Sequence, residues 1–396
     1  MQDEQELSFN EKYRLFGVIS TICVAVSILY SFVGVSQTPI PRVQLITNPP
    51  LERILPFEAG TEKQQSPVTL TLQAIDAVGK PLENAKIALQ ILTPNPNPWL
   101  TTDFPIVEGT KLLQMEAAAP DGKLEIQQML PIRGNYQLRV NVSPLVANAF
   151  APYEQTLNLN VRENPVKYKY FAVVAAILLS VGLLGGWVIG GQEKLREGEI
   201  APQSVRLLLS ALTVVAIVTL LFINISAEVA EAHGSGHSNT TEAIAPSVQK
   251  SQELEVHLEG DKNATVGKLA NLTVRVKDTA TGQPLTDVAL QVKAIALEDN
   301  LTIFTYKGIP DSNGKLTWQE QFFDGAPHKV EVEATPLPGA KRQFYGVKVA
   351  QEVEVEGIAP PLYIRLIGLF YFTAIIGIGM AIGLLIQRRQ KPQARA

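Results

Sequence analysis

The sequence predicts an all-β protein of two Ig-like β sandwiches and four transmembrane α-helices, in a tandem helix–sandwich–helix repeat. Four long apolar segments and two series of short alternating strands predict this arrangement, and one set of turn motifs occurs twice. Each apolar segment has about 20 residues, enough for a helix to cross roughly 30 Å of hydrocarbon. The predicted spans are residues 15–35, 170–191, 207–227 and 362–386.

Basic residues beside the spans predict the orientation, because short cytoplasmic flanks are enriched in Lys and Arg. The N-terminal segment 1–14, the loop 192–206 and the tail 387–396 each carry Lys and Arg close to a span, and acidic residues count for little in this rule. The basic residues are Lys12, Arg14, Lys194, Arg196, Arg206, Arg388, Arg389, Lys391 and Arg395. We therefore expect both termini and the 192–206 loop in the cytoplasm, and both sandwiches on the exocytoplasmic side.

Composition narrows the class of protein and the compartment. The net charge is −4 and no basic tract resembles a nucleic-acid-binding surface, which argues against a nucleic-acid partner. The single cysteine, Cys23, lies in the first predicted span, so the sandwiches contain no internal disulfide. Exocytoplasmic Ig-type domains of animal cells usually carry one, which favours a bacterial plasma membrane or an equivalent internal membrane.

The first sandwich is predicted over residues 43–166 and the second over residues 252–357. Short runs in which apolar and polar residues alternate, separated by Gly/Pro/Asp turns, are typical of half-buried strands. In the first sandwich the predicted strands are 68–75, 86–92, 124–127, 136–142 and 155–161. In the second they are 254–258, 270–277, 288–292, 315–319, 329–333 and 346–355. Residues 228–251 are predicted to form a flexible linker, being rich in Ser, Gly, Ala and Glu.

The same turn motifs appear in both sandwiches, which indicates a duplication. An Asp-x-x-Gly-x-Pro-Leu turn or its one-residue-longer form begins at Asp76 and at Asp278. The interval from Gly122 to Pro144 equals the interval from Gly314 to Pro336. The first unit is longer between its turns, and we assign the excess to the proline-rich loop 93–99, which excludes regular ladder pairing.

This pattern resembles the YtkA-like and FixH-like periplasmic domains of bacteria. The matching residues are Asp76, Gly79, Pro81, Leu82 and Ala85, and then Asp278, Gly282, Pro284, Leu285 and Ala289. The resemblance implies a membrane-attached Ig-like sandwich, in a family often linked to copper handling or cytochrome oxidase assembly. The tandem arrangement with four helices departs from the usual member, which has one helix.

Histidines are the candidate metal ligands. The chain has four, all in or just before the second sandwich: His233, His237, His257 and His328. Imidazole binds copper and zinc well, and Asp324 lies one turn before His328. The alternative interpretation is a solvated linker with two histidines and two histidines on strands, with no cofactor.

The segment Ala230-Glu-Ala232 before His233 matches a small-x-small peptidase site. Cleavage there would make His233 an N-terminal residue able to bind metal through its amine and its imidazole. The preceding apolar run is longer than the 7–15 residues typical of a signal sequence, which favours an uncleaved chain.

Glycines recur at four-residue spacing in the second and fourth spans, at Gly182, Gly186 and Gly190 and at Gly379 and Gly383. Small residues at this spacing let helices approach closely in lipid. We predict that these two spans pack against each other about a pseudo-two-fold axis along the membrane normal. The alternative is incidental glycine, which is common in membrane helices.

No enzymatic motif is present: there is no phosphate-binding Gly-rich loop, no Gly-x-Ser-x-Gly and no His-Glu-x-x-His. The spans lack central ionisable residues, which argues against a pump. The leading hypothesis is a non-enzymatic membrane protein that binds or scaffolds a membrane or periplasmic protein partner. The alternatives are a copper- or zinc-handling or oxidase-assembly accessory, and a structural subunit of a transport complex. The histidines would place any chemical site in the second half.

Overall fold

The structure is a computed structural model that describes residues 40–58, 65–190, 245–251, 253–340, 342 and 344–389, with isolated positions between 200 and 213. Within these residues, two helices are long and apolar enough to cross a membrane. They are α1, Pro165–Gly190, and α2, Leu362–Arg389. Four such helices were predicted. The predicted span 15–35 lies outside the described residues, and the span 207–227 does so apart from a few positions.

The rest of the described chain contains sixteen strands and the segments that connect them. The first half contains β1 Arg42–Asn48, β2 Val68–Ile75, β3 Ala85–Leu92, β4 Lys111–Ala119, β5 Lys123–Gln128, β6 Gly134–Pro144 and β7 Tyr153–Val161, with a short 3-10 turn at Leu51–Arg53. The second contains β8 Val248–Lys250, β9 Leu254–Gly260, β10 Asn263–Thr265, β11 Leu269–Asp278, β12 Val288–Ala296, β13 Leu301–Gly308, β14 Lys315–Gln321, β15 His328–Pro336 and β16 Val347–Glu356.

Alternation of apolar and polar residues explains most of these strands. In β3, for example, every second side chain is buried between the sheets while its neighbours are only partly covered, and the first seven residues of β12 follow the same pattern. Five strands were not predicted: β1, β4, β8, β10 and β13. The short strand β8 also corrects the predicted linker, because residues 248–250 pair with β9.

The sequence predicted two sandwiches, over residues 43–166 and 252–357, and in the structure these two regions share both of their sheets. Both sheets have eight strands, in the orders β1-β2-β5-β13-β12-β15-β16-β10 and β7-β6-β3-β4-β14-β11-β9-β8. Residues 126–128 of β5 pair with residues 304–306 of β13, and residues 113–115 of β4 pair with residues 318–320 of β14. An edge strand carries unsatisfied backbone groups, so joining the inner edges of the halves removes four such edges.

The strand order is symmetric about the junction. Strands β5 and β14 both follow an Asp-containing turn with a glycine at φ +68°, Gly122 or Gly314. Strands β4 and β13 each precede that turn. Because β4 pairs with β14 and β13 pairs with β5, the two halves exchange partners as two subunits do across a two-fold axis.

One contiguous core runs through both halves and lies between the two sheets. Its largest fully buried side chains include Trp318, Tyr136, Phe304 and Phe322. The Tyr136 hydroxyl donates to the Ile132 carbonyl at 2.7 Å, which satisfies the phenol inside the core.

The outer edges of the sandwich are closed by contacts between the sheets. Tyr153 Oη donates to the Arg42 carbonyl at 3.2 Å, and the Val43 amide donates to Gln155 Oε1 at 2.7 Å. At the other end, the Ala350 amide donates to the Pro246 carbonyl at 3.3 Å. Strands β7 and β16 end at the side of the sandwich from which α1 and α2 leave, and we call this side the helix-side end.

Candidate functional site

The predicted glycines of α1 lie against the backbone of α2. A Cβ atom added at Gly182 would lie 2.2 Å from the Ile376 carbonyl oxygen, and one at Gly186 would lie 2.0 Å from that of Met380. Side chains at these positions would overlap the neighbouring helix, so only glycine permits this separation. A Cβ atom added at Gly190 would lie 2.9 Å from the side chain of Gln387.

The predicted glycines of α2 make the reciprocal contacts. A Cβ atom at Gly379 would lie 2.4 Å from the Leu179 carbonyl oxygen, and one at Gly383 would lie 2.1 Å from that of Leu183. The structure therefore brings all five predicted glycines to one helix–helix interface. Close backbone contact along this interface holds α1 and α2 in a defined separation.

The predicted histidines are not brought together where the structure describes them. His257 lies on β9, and its Nε2 is 2.5 Å from Glu255 Oε1, which Lys250 also contacts at 3.1 Å. His328 begins β15 in the opposite sheet. Among the described residues, no group of three His, Cys, Asp or Glu side chains could hold a metal ion. His233 and His237 lie outside those residues.

The environment of His328 is that of a core side chain. Its Nδ1 is 2.6 Å from the Ala326 carbonyl oxygen, and its ring centroid is 4.6 Å from that of Phe322. Burial lowers the pKa of His328 to about 4, although the contact with the carbonyl opposes the shift. The imidazole is therefore neutral near pH 7 and donates its Nδ1 hydrogen to a backbone oxygen.

A network of charged side chains joins α1 to the helix-side end of the sandwich. Lys167 forms ion pairs with Asp103, with Glu58 at 3.6 Å and with Glu163 at 3.7 Å. Glu163 is also paired with Arg133. Each carboxylate comes from a different part of the first half, so the first turn of α1 is tied to several segments at once.

Three phenylalanines make an aromatic cluster beside this network. Phe57 and Phe104 come from the first half and Phe323 from the second. The ring centroids of Phe323 lie 5.4 Å from those of both other rings, and Phe57 and Phe104 are 5.9 Å apart. Tilted and edge-on pairs at these distances are favourable, so the cluster packs the two halves together at the helix-side end.

Residues 93–110, which connect β3 to β4, form what we call the helix-side loop. Asn97 Oδ1 accepts from the amides of Trp99 at 2.9 Å and Leu100 at 3.3 Å, which makes a tight turn. The Thr102 amide and hydroxyl both donate to Glu108 Oε1, at 2.9 and 2.7 Å. The sequence showed this segment only as a proline-rich insertion. The order of this loop depends on partners six residues away within it and, through Arg133, more than 30 residues away.

A polar cleft of about 730 Å³ lies between the helix-side loop, the ends of β6 and β7, and Tyr168 of α1. Two arginines and two glutamates balance its charge: Arg133, Arg162, Glu108 and Glu163. Arg133 is engaged within the cleft, since its guanidinium also donates to the carbonyls of Leu100 at 3.4 Å and Thr101 at 3.3 Å. The cleft is thus bridged internally by its own charges.

The junction of the two halves contains a buried acid, Glu320. Its carboxyl lies in the core beside Trp318, and within the described chain neither oxygen reaches a hydrogen-bond partner. Burial raises the pKa of Glu320 to about 8, and the Trp318 indole opposes the shift weakly. The equivalent position in the first half, six residues after Gly122 rather than Gly314, is Gln128, which is equally buried.

Sequence analysis missed Glu320, although a signal was available. Alternation along β14 places Leu316 and Trp318 inward, and the same period places Glu320 inward. The predicted strand ended one residue too early to include it.

No known protein-family profile matches this chain, and no curated protein matches it. Solved structures do show similarity. A copper-bound variant of FetP from uropathogenic Escherichia coli strain F11 is 10% identical, covering 29% of this chain and 97% of FetP at a TM-score of 0.22. A CARDB domain from Pyrococcus furiosus, solved with di-metal ions, is 13% identical over 30% of this chain and 98% of that domain, at a TM-score of 0.19.

The adhesin InvE of Yersinia pseudotuberculosis is similar over more of the chain. It is 13% identical, over 80% of this chain and 61% of InvE, at a TM-score of 0.18. These similarities are to β domains, and TM-scores of this size carry no argument about function. The resemblance to YtkA-like and FixH-like domains stays a prediction.

Proposed function

We propose that this chain is a non-enzymatic integral membrane protein that presents one rigid, duplicated β platform outside the cytoplasm to a membrane or periplasmic protein partner. The observation that carries the proposal is the double coupling of its halves. They share both sheets through β4–β14 and β5–β13, and their helices share a glycine interface.

This coupling restricts movement of the platform. A rotation of one half against the other would break strand pairing in both sheets, and it would also separate α1 from α2. The Lys167 network and the Phe57–Phe104–Phe323 cluster add restraint at the helix-side end. A surface held at a fixed height and orientation above a bilayer suits the docking of another membrane-bound protein, because less freedom is lost on binding.

Helix composition supports the proposed orientation. Helix α2 ends with Arg388 and Arg389, and basic residues favour the cytoplasmic end of a span. The sandwich lies at the opposite end of the same helix. Both termini are therefore proposed to be cytoplasmic and the sandwich exocytoplasmic.

The rigidity of the platform can be measured by pulsed electron–electron double resonance, which gives distances between spin labels, on the full chain in lipid nanodiscs. Spin labels would replace Val78 and Thr281, in the equivalent turns of the two halves, in a Cys23→Ser background. We expect one narrow distance distribution. A broad or multimodal distribution would show that the halves move independently and would overturn the platform.

Partner binding needs a separate experiment with matched variants. The tagged chain would be cross-linked in native membranes and purified, together with Gly383→Leu and Gly377→Leu forms. A Cβ at Gly383 overlaps α1, whereas nothing in the described chain lies within 4 Å of one at Gly377. We expect one stoichiometric protein partner that the Gly383 variant loses and the Gly377 variant keeps.

Two outcomes would contradict a scaffold. One is the absence of any stoichiometric protein in all three preparations. The other is stoichiometric copper or zinc in the purified chain, measured by mass spectrometry and lost on changing His233, His237 or His257 to Ala. That result would favour the metal-handling hypothesis.

A further inference from the structure

The tip of the helix-side loop lies beside α2, more than two turns after the start of that helix. Tyr371 Oη donates to the Trp99 carbonyl oxygen at 2.8 Å. Helix α2 begins at Leu362, so Tyr371 lies roughly 13 Å along the helix axis at 1.5 Å per residue. The loop therefore extends from the sandwich alongside the helix.

The depth of this contact in a bilayer can be estimated from the position of the uncharged stretch of α2. Residues 366–387 contain no charged side chain, and Arg388 follows them. About 20 helical residues cross the hydrocarbon, so counting back from Arg388 places its outer boundary near residue 368. The Cα atom of Tyr371 is then roughly 5 Å inside that boundary. Its side chain leans toward the N-terminal, outer end of the helix, so the Trp99 carbonyl that it reaches lies near the boundary itself.

The side chains at the tip are apolar and face outward. Trp99 is 67% exposed and Leu100 is 58% exposed. Residues 93–102 contain no charged side chain, and the next residue, Asp103, is paired with Lys167. Tryptophan favours the boundary between headgroups and acyl chains, where its ring is in an apolar medium and its indole N–H can meet water or headgroups.

The loop holds these side chains in place before any membrane contact is made. The Asn97 turn fixes the tip, and Arg133 donates to the carbonyls of Leu100 and Thr101. At the base, the Thr93 amide donates to the Thr110 carbonyl at 2.9 Å and Phe104 packs in the aromatic cluster. An ordered turn that exposes a Trp and a Leu is suited to an apolar surface, because little conformational entropy is lost when it binds.

We propose that the tip of the helix-side loop, Trp99 with Leu100, inserts into the outer interfacial layer of the bilayer that α2 crosses. The ligand is the lipid surface itself, at the boundary between headgroups and acyl chains. The loop gives the first half a contact with the membrane in addition to α1. The second half has only a short turn, residues 297–300, at the equivalent place between β12 and β13.

Site-directed spin labelling of the full chain in nanodiscs of phosphatidylcholine and phosphatidylglycerol tests this insertion. Single cysteines would replace Trp99, Leu100 and, as a control, Val146, in a Cys23→Ser background. Val146 is a 61% exposed apolar residue in the turn after β6, away from the helix-side end. Power saturation with oxygen and with a water-soluble nickel chelate reports the depth of each label.

We expect labels at positions 99 and 100 to be more accessible to oxygen than to the nickel chelate, and the label at position 146 to show the reverse. Using two loop positions guards against a local effect of replacing Trp99. Aqueous behaviour at both loop positions would overturn the proposal. Protection that appears only in native membranes and not in nanodiscs would also overturn it, because a protein would then be the ligand.

A Tyr371→Phe variant adds a second measurement. Without the hydroxyl, the hydrogen bond to the Trp99 carbonyl is lost. We expect the label at position 100 to become more mobile while the label at position 146 is unchanged. Unchanged mobility at position 100 would show that Tyr371 does not hold the loop at this depth and would contradict the estimate on which the insertion rests.

Discussion

Each of the seven strands of the first half has a counterpart in the second half, which adds β8 and β10 at the sheet edges, but the halves differ in the connection at the helix-side end. In the first half, β3 and β4 are joined by residues 93–110, which reach α2 and carry Asp103 to Lys167. In the second half, β12 and β13 are joined by residues 297–300. The shared strand order is therefore combined with two different connections at the helix-side end. The histidines had suggested that the specialised half is the second, whereas this connection is in the first.

The aromatic cluster gives the largest expected effect, because it depends on both halves. Phe323→Ala removes the one ring that the second half contributes, at a site only 3% exposed. We expect the free energy of unfolding to fall by about 3 to 5 kcal/mol. Chemical denaturation of the detergent-solubilised chain measures it. Tyr345→Ala, at a 96% exposed aromatic residue, should change it little. Equal effects would mean that the cluster does not join the halves.

Glu320 and Gln128 are buried polar residues at equivalent positions of the two halves. Substitutions at these positions test whether the two sides of the junction are equivalent. The pKa of Glu320 in the folded chain, about 8, is above its ordinary value of 4.5. Stability is therefore fully present below pH 4.5 and is lost as pH rises through 8, by about 1.4 kcal/mol per unit between them. Glu320→Gln should flatten this dependence and raise stability at pH 8.

The reciprocal change, Gln128→Glu, is the matched control for that prediction. It places a second buried carboxyl at the equivalent position, so the loss of stability with rising pH should become steeper. Denaturation series from pH 5 to pH 8 compare the three chains. If Glu320→Gln leaves the slope unchanged, the acid is not held neutral in the core.

A side chain added at the helix interface is expected to lower the free energy of unfolding by about 1 to 3 kcal/mol, the range for overpacking a close contact. Gly383→Ala adds a Cβ 2.1 Å from the Leu183 carbonyl oxygen, whereas Gly377→Ala adds one with no described atom within 4 Å. Unfolding in SDS–detergent mixtures should separate the two variants. A parallel Gly186→Ala variant tests the first-half helix, and unequal losses would show that the two helices contribute differently.

The smallest expected effect is at the ion pairs that hold α1. Lys167→Gln removes the cation that three carboxylates share, and we expect a loss of about 1 kcal/mol, since partly exposed ion pairs contribute little each. The loss should shrink in high salt. Lys169→Gln, two residues later and exposed, provides the comparison. A salt-independent loss would point to packing of the lysine stem instead.

Sequence reasoning predicted the strands whose apolar and polar residues alternate, including β5 and β14 at the junction, and missed their partners β13 and β4. In β13, four consecutive residues from Ile303 to Tyr306 are buried, and the pairing with β12 shifts register at Ile303, as at a β-bulge. In β4, Leu112 and Leu113 are both buried, and the pairing with β3 shifts register at Leu112. Alternation breaks at these shifts, so the periodic signal fails in both strands. The helix glycines were predictable because their spacing is local.

The helix-side contacts could not be predicted for a different reason. The Lys167 network joins residues as distant in sequence as Glu58 and Glu163, and Tyr371 reaches Trp99 across most of the chain. No local period records such pairings. What sequence did show of this end was an excess of prolines in residues 93–99. Its meaning depended on the position of α2 beside it.

The exchange of strand partners at the junction has a consequence for assembly. Strands β4 and β5 meet β14 and β13 reciprocally, as the two copies do in an isologous dimer. One half alone would leave both inner edges open, and a second copy of itself would complete them. The chain thus encloses a subunit interface within one polypeptide. An interface made this way does not dissociate on dilution, so the pairing of the two halves is independent of the concentration of the chain.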